Sequence, residues 1–206
     1  MSFTPLNEEN LDLLREVSNI GMGHAATALS QMIGETVLLR VPKVTLADIA
    51  DVPTLLGGAE TVVAGITLQL LGDVRGNMLL VFPEESARRL VGRLLGSEDD
   101  GIALSEIGIS TLKEVGNILA SAYLTALGGV LHRVMIPSIP QFAFDMAGAV
   151  VDYVLIELSE SGDTALLVET EFHGFGDLAE KINGHFFLLP DPASLEVILA
   201  AVEEAK

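Results

Sequence analysis

Cysteine and tryptophan are absent from this 206-residue chain, histidine occurs only four times, and aromatic residues make up 5%. Without cysteine there is no disulfide framework, no thiolate-ligated zinc site and no cysteine nucleophile. The same absence fits a cytoplasmic protein. Positive charge is scarce as well: 11 Lys and Arg stand against 29 Asp and Glu, a formal net charge of −18. Binding a duplex needs a basic stripe that displaces counterions. The basic residues here are scattered, which argues against nucleic acid, and an anionic membrane is disfavoured for the same reason. A partner with a basic or metal-bearing surface is the better electrostatic match. The N-terminal Met1-Ser2-Phe3-Thr4-Pro5 has no basic segment leading into an apolar one, so no secretory signal is expected. Long apolar runs are missing too. The longest weakly polar one, Ile118 to Leu131, is too short and too rich in Gly, Ser and Thr to span a bilayer. No linker rich in Pro, Ser or Gly divides the chain; the acidic Ser97-Glu98-Asp99-Asp100-Gly101 comes nearest to a junction.

What is present is an apolar half and an internal repeat. Half the residues are hydrophobic, enough to bury a sizeable core and to argue against disorder. Leu14-Arg15-Glu16-Val17-Ser18-Asn19-Ile20 returns, 98 positions later, as Leu112-Lys113-Glu114-Val115-Gly116-Asn117-Ile118. The register runs on through Thr27-Ala28-Leu29 and Thr125-Ala126-Leu127 to Pro42 and Pro140 without a gap. Gly76 to Pro83 resembles Asn183 to Pro190 at an offset of 107, and each block leads into an amphipathic stretch, Glu84 to Leu95 and Asp191 to Glu204. Repeats of this kind set the architecture.

Each half opens on a long helix. The first is expected from Glu8 to Ile33 with Asn7 as N-cap, the second from Glu106 to Leu127, capped by Ser105 and stopped by Gly128-Gly129. Strands are expected over 36–41, 44–49, 61–71 and 77–82, with Pro83 in the first turn of a short helix. In the second half they are expected over 131–136, 142–144, 150–158, 165–172 and 185–189, before a C-terminal helix. Short connections leave too little chain for crossover helices, so the sheet should be mainly antiparallel. The expectation is one α+β domain over 1–206, internally duplicated about a pseudo-twofold axis, with repeats near 8–98 and 106–205 and two long motif-bearing helices.

On a helix, Asp12, Glu16 and Asn19 form one narrow stripe, and Ser110, Glu114 and Asn117 form its copy. Leu14, Val17, Gly21, Ala25, Ala28 and Met32 read as the opposite, buried face, so the polar stripes should look outward. Asparagine is a mediocre helix-interior residue because its amide competes for backbone groups. Its recurrence three residues after a glutamate, while neighbours diverged, is more than a solvated helix face requires. A carboxamide can accept from and donate to a water and aim it, and a carboxylate can grip a cation on a partner. That is catalysis by positioning, a form of assistance that suits phosphoryl transfer.

The doubled spacing Asp12-x3-Glu16-x2-Asn19-x22-Pro42 and Ser110-x3-Glu114-x2-Asn117-x22-Pro140 resembles the signature of the CheC-type chemotaxis phosphatases, a family that also includes CheX and FliY. The resemblance covers nearly the whole chain. Two intact copies fit CheC or FliY better than CheX, and the lack of a C-terminal flagellar-switch domain before Lys206 makes CheC the expected nearest type. The resemblance implies a phosphatase that hydrolyses the aspartyl phosphate of the response regulator CheY. Glu16 and Glu114 would anchor CheY through its active-site lysine, and Asn19 and Asn117 would orient the attacking water. Pro42 and Pro140 would shape the adjoining loops, and Asp12 and Ser110 belong to the motif without an assigned role. No cofactor or metal is expected on this chain, since the Mg²⁺ would sit on CheY. A second implied partner is CheD, a receptor glutamine deamidase, with Gln141 to Asp145 as its contact. The competing class is a non-catalytic adaptor that holds CheY or CheD and acts by occupancy.

Two other patterns compete for attention. Gly21-Met22-Gly23-His24-Ala25-Ala26 matches a dinucleotide fingerprint but follows a helical stretch where that fingerprint needs a strand. Its glycines are better read as allowing close helix packing. Glu169, Glu171 and His173 alternate along an expected strand and could ligate a metal. The first half has no equivalent, which favours a solvated strand face. His24 and His132 stand alone.

Overall fold

The computed structural model describes residues 8–34, 36–41, 43–48, 51–97, 101–157, 164–174 and 177–204. The first half runs α1 (Glu8–Ile33), β1 (Val37–Arg40), β2 (Val44–Asp48), α2 (Val52–Leu55), β3 (Val62–Gly72), β4 (Gly76–Pro83) and α3 (Glu84–Leu95). After a short 3-10 turn at Ile102–Leu104, the order repeats as α4 (Glu106–Leu131), β5 (Met135–Pro137), β6 (Gln141–Met146), α5 (Ala147–Glu157), β7 (Thr164–Gly174), β8 (Asp177–Pro190) and α6 (Pro192–Glu204).

All described strand pairs are antiparallel, and the sheet order is β1-β7-β8-β4-β3-β5, with β2 also on β7 and β6 also on β3. The order reads the same from either end once first-half strands are exchanged for their second-half counterparts. β4 and β8 meet at the centre. The opening strands of each half lie on the third strand of the other, so the halves interlock through backbone hydrogen bonds.

Residue alternation shows why the central strands are continuous apolar runs. On β4, Met78, Leu80 and Phe82 enter one core cluster while Leu79 and Val81 enter a second. On β8, Phe186 and Leu188 face the first, Phe187 and Leu189 the second. A strand covered on both faces needs apolar side chains at every position. The larger cluster lies under α1, α3, α4 and α6, and the smaller one under α2 and α5.

The helices carry the main corrections to the sequence reading. Ser105 caps α4 as expected, its hydroxyl accepting from the Gly108 N–H at 3.1 Å. The helix then runs through Gly128-Gly129 and ends where His132 turns left-handed at φ 52°. Gly128 is needed there for space, since a Cβ would lie 2.6 Å from the Arg133 carbonyl oxygen. His132 is the repeat counterpart of Gly34, which ends α1 at φ 74°. At 26 residues α4 is long and apolar enough, by length and composition, to cross a bilayer; half of that stretch is buried in the fold. Of the segment expected as strand over 150–158, residues 150–157 are helix, and 158 lies outside the described residues. Ala147, Val150, Val151 and Val154 follow helical spacing and bury against the second face of the sheet, which overrides the β-branched composition. The four-residue α2 in the corresponding place went unforeseen. Pro83 stands at the N-cap of α3 instead of inside its first turn. Ala28 and Met32 of α1 are exposed, Met32 at 46%. The buried stripe instead runs through Leu14, Val17, Ser18, Gly21, Met22, Ala25 and Leu29. Asn7 and the acidic 98–100 lie outside the described residues.

The two long helices meet at Gly21. A Cβ on that residue would lie 2.9 Å from the Tyr123 Cα and 3.2 Å from the Ala122 carbonyl oxygen. α4 approaches the sheet as closely at Gly116, where a Cβ would lie 2.7 Å from Ile66 Cγ2. Gly21→Ala should therefore lower the thermal midpoint, by about 1–3 kcal/mol of stability, because backbone must move to admit the methyl group. Gly23→Ala on the same helix, where a Cβ would meet nothing within 4 Å, should leave the midpoint unchanged or raise it. A melting curve for each variant decides between them.

Candidate functional site

The two polar stripes lie on the solvent side of α1 and α4. Asp12, Glu16 and Asn19 are exposed, as are Ser110 and Glu114, and Asn117 is half-buried. Both triplets precede the helix crossing on their own helix. Pro140 is half-buried between β5 and β6, whereas Pro42 lies outside the described residues. Asp145 is exposed near the end of β6, its Oδ1 accepting from the Met146 N–H at 2.7 Å.

The stripes match in position and differ in bonding. Asn19 Oδ1 accepts from the Val41 N–H at 3.1 Å, and its Nδ2 donates to the Arg15 carbonyl at 3.0 Å. Asp12 pairs with the Arg15 guanidinium at 3.0 Å, a contact worth little while both partners are solvated. Glu9, Asp12, Leu13, Arg15, Glu16 and Asn19 line an open depression of about 550 Å³. Farther along α1, Ser30 Oγ donates to Ala26 O at 2.7 Å and accepts from the Val37 N–H at 2.9 Å. Asn19 and Ser30 thus hold the segment around β1 against α1 at both ends. In the second half Gly128 replaces Ser30. Among the described residues the side chains of Ser110, Glu114 and Asn117 make no hydrogen bond or ion pair, and neither does that of Glu16. The sequence reading missed the tie to Val41, because a backbone donor carries no residue-type signal.

Between the helices lies Tyr123, fully buried, its ring 5.0 Å from that of Phe186. Its hydroxyl makes no well-formed hydrogen bond. Ser18, the residue before Asn19, is its polar neighbour, but the serine hydroxyl donates to Leu14 O at 2.6 Å. Burial pushes the phenol up to about 12, slightly offset by Ser18.

The competing patterns fall elsewhere. Gly21 to Ala26 is mid-helix, with no strand before it. Glu169, Glu171 and His173 lie on β7, where Glu171 registers opposite Arg40 on one side and Asn183 on the other. His24 is exposed on α1.

The chain is thus an interlocked α+β protein whose two crossed helices each carry a Glu-x-x-Asn pair on the solvent side. A model of the CheC-like family matches residues 9–46. Over 203 residues, 97% of either chain, the sequence is 36% identical to the CheY-P phosphatase CheC of Bacillus subtilis (strain 168). The crystal structure of Thermotoga maritima FliY superposes with a TM-score of 0.77 at 19% identity, covering 98% of this chain and 99% of that one. A chain of the CheX-CheY-BeF3-Mg+2 complex from Borrelia burgdorferi does so with a TM-score of 0.50 at 20% identity, covering 83% of this chain and 96% of that one. The chain belongs to the CheC-like family.

The Tyr123 proton gives a pH signature. Its folded value lies above the ordinary tyrosine value near 10, so the neutral phenol contributes stability that is complete below pH 10 and is lost as pH rises towards 12. Tyr123→Phe should flatten the fall in denaturation midpoint between pH 10 and 12. At pH 7 it should cost little, since it removes a hydroxyl that lacks a full partner.

Proposed function

We propose that this chain is a protein aspartyl-phosphate phosphatase acting on phosphorylated CheY. The observation that carries the reading is the placement of both Glu-x-x-Asn pairs on the solvent side of their helices, Asn117 half-buried and the other three exposed, in a chain 36% identical over 203 residues to a CheY-P phosphatase. Both pairs sit on helices anchored to the sheet, so docking orders few new side chains. Glu16 and Glu114 project from solvated positions where a partner's ammonium can pair with them. One helical turn on, Asn19 or Asn117 accepts from and donates to a single water. That water's oxygen attacks phosphorus in line as the P–O bond to the partner's aspartate breaks, giving inorganic phosphate and a free carboxylate. The gain comes from holding the water in line. Mg²⁺ and the phosphoryl group belong to the partner, and no covalent intermediate forms on this chain. Pro140 shapes the loop between β5 and β6. The reading places the protein in the cytoplasm with its regulator. It assigns the receptor deamidase CheD to β6, where Asp145 is exposed.

Following phosphate in a mixture of this protein with phosphorylated CheY and Mg²⁺ tests the reading. Decay should accelerate, and Asn19→Ala combined with Asn117→Ala should abolish the acceleration while binding largely persists. An unchanged decay rate with wild-type protein would reject the phosphatase. Loss of binding together with the rate would favour the adaptor.

A further inference from the structure

The two Glu-x-x-Asn pairs are not equivalent. Resting on the phosphatase reading, we infer that the second pair, Glu114 with Asn117, carries the larger share of the reaction, and that the first is held back by its own hydrogen bonds. To aim a water, a carboxamide must offer its oxygen or an N–H to that water. Asn19 has its oxygen on the Val41 N–H at 3.1 Å and one amide hydrogen on Arg15 O at 3.0 Å. Freeing the oxygen strands the Val41 N–H, on a residue only 3% exposed, so release has a cost. Asn117 has no such ties among the described residues. Its counterpart of Val41 is Ile139, also 22 positions on, and that residue is 87% exposed instead of tucked against the helix.

The surroundings point the same way. Ile107, one turn before Ser110 and on the stripe of Glu114, is 57% exposed, and Leu104 just ahead of α4 is 49% exposed. These two give the second pair an apolar margin that a docking response regulator can cover. Where Ile107 stands, the first half has Glu9, itself engaged and acidic. The first pair also carries the Asp12–Arg15 ion pair, while Ser110 cannot pair with Lys113 in that way. A net hydrogen bond corresponds to roughly a two- to tenfold shift in an equilibrium, which sets the expected inequality between the sites.

Three proteins decide it: wild type, Asn19→Ala and Asn117→Ala, each compared at saturating phosphorylated CheY. Asn117→Ala should remove most of the acceleration, and Asn19→Ala the smaller part. Side-chain amide exchange with water, read by NMR on wild-type protein, should be several-fold slower for Asn19 than for Asn117 whatever the activity. Equal losses, or a larger loss from Asn19→Ala, would overturn the inequality and mean that the bond to Val41 presets Asn19 for the reaction. Equal amide exchange would overturn the claim that its hydrogen bonds hold Asn19 back. No acceleration by wild-type protein would reject the phosphatase reading itself, a result distinct from either.

Discussion

Everything that positions the two motifs rests on the close crossing of α1 over α4. Only glycine at position 21 lets the backbones approach this far, and only glycine at position 116 lets α4 settle on Ile66. The crossing aims the polar stripe of each helix at solvent and commits the opposite stripe to the core. Bringing helices this close forfeits large side chains at the contact, and Tyr123 and Phe186 fill the adjoining space. The polar hydroxyl of Tyr123 is an odd resident there, a cost the fold carries between its two motif helices.

The sheet supplies the second constraint. β1 and β2 lie on β7, while β5 and β6 lie on β3, so each half completes the other. The pairing belongs to the backbone and tolerates side-chain divergence. That is how the repeats could drift apart in bonding around Asn19 and Asn117 while keeping their places. Exchange of strands also ties the motif loops to the partner half: the segment carrying Val41 sits on β7, and the one carrying Ile139 is held beside β3. Ser138 contributes there by accepting from the Gln69 N–H at 2.9 Å.

Much of this was legible beforehand where periodicity and composition agree. α1 runs from Glu8 to Ile33 as its spacing requires, and α3 covers the amphipathic stretch from Glu84. The reading failed where they disagree. Val150 and Val151 look like strand residues, yet with Ala147 and Val154 they make a helical stripe against the sheet. Gly128-Gly129 look like a stop, but local sequence does not reveal that the Arg133 carbonyl will fold back against that turn. The exposed side of α1 was identified through Asp12, Glu16 and Asn19. Its buried side drifted from the expected line at Ala28 and Met32, because a straight helix turning 3.6 residues at a time moves off any fixed stripe over seven turns.

Sequence alone determined the repeat, the two Glu-x-x-Asn stripes and the antiparallel α+β character, because each is a matter of spacing along one chain. Only the tertiary structure decided how the halves interlock and that Asn19 is bonded to Val41 while Asn117 is unengaged among the described residues. Those outcomes depend on backbone groups meeting across distant segments. A backbone N–H is the same in every residue but proline, so no pattern of letters distinguishes the one that finds a partner from the one that does not.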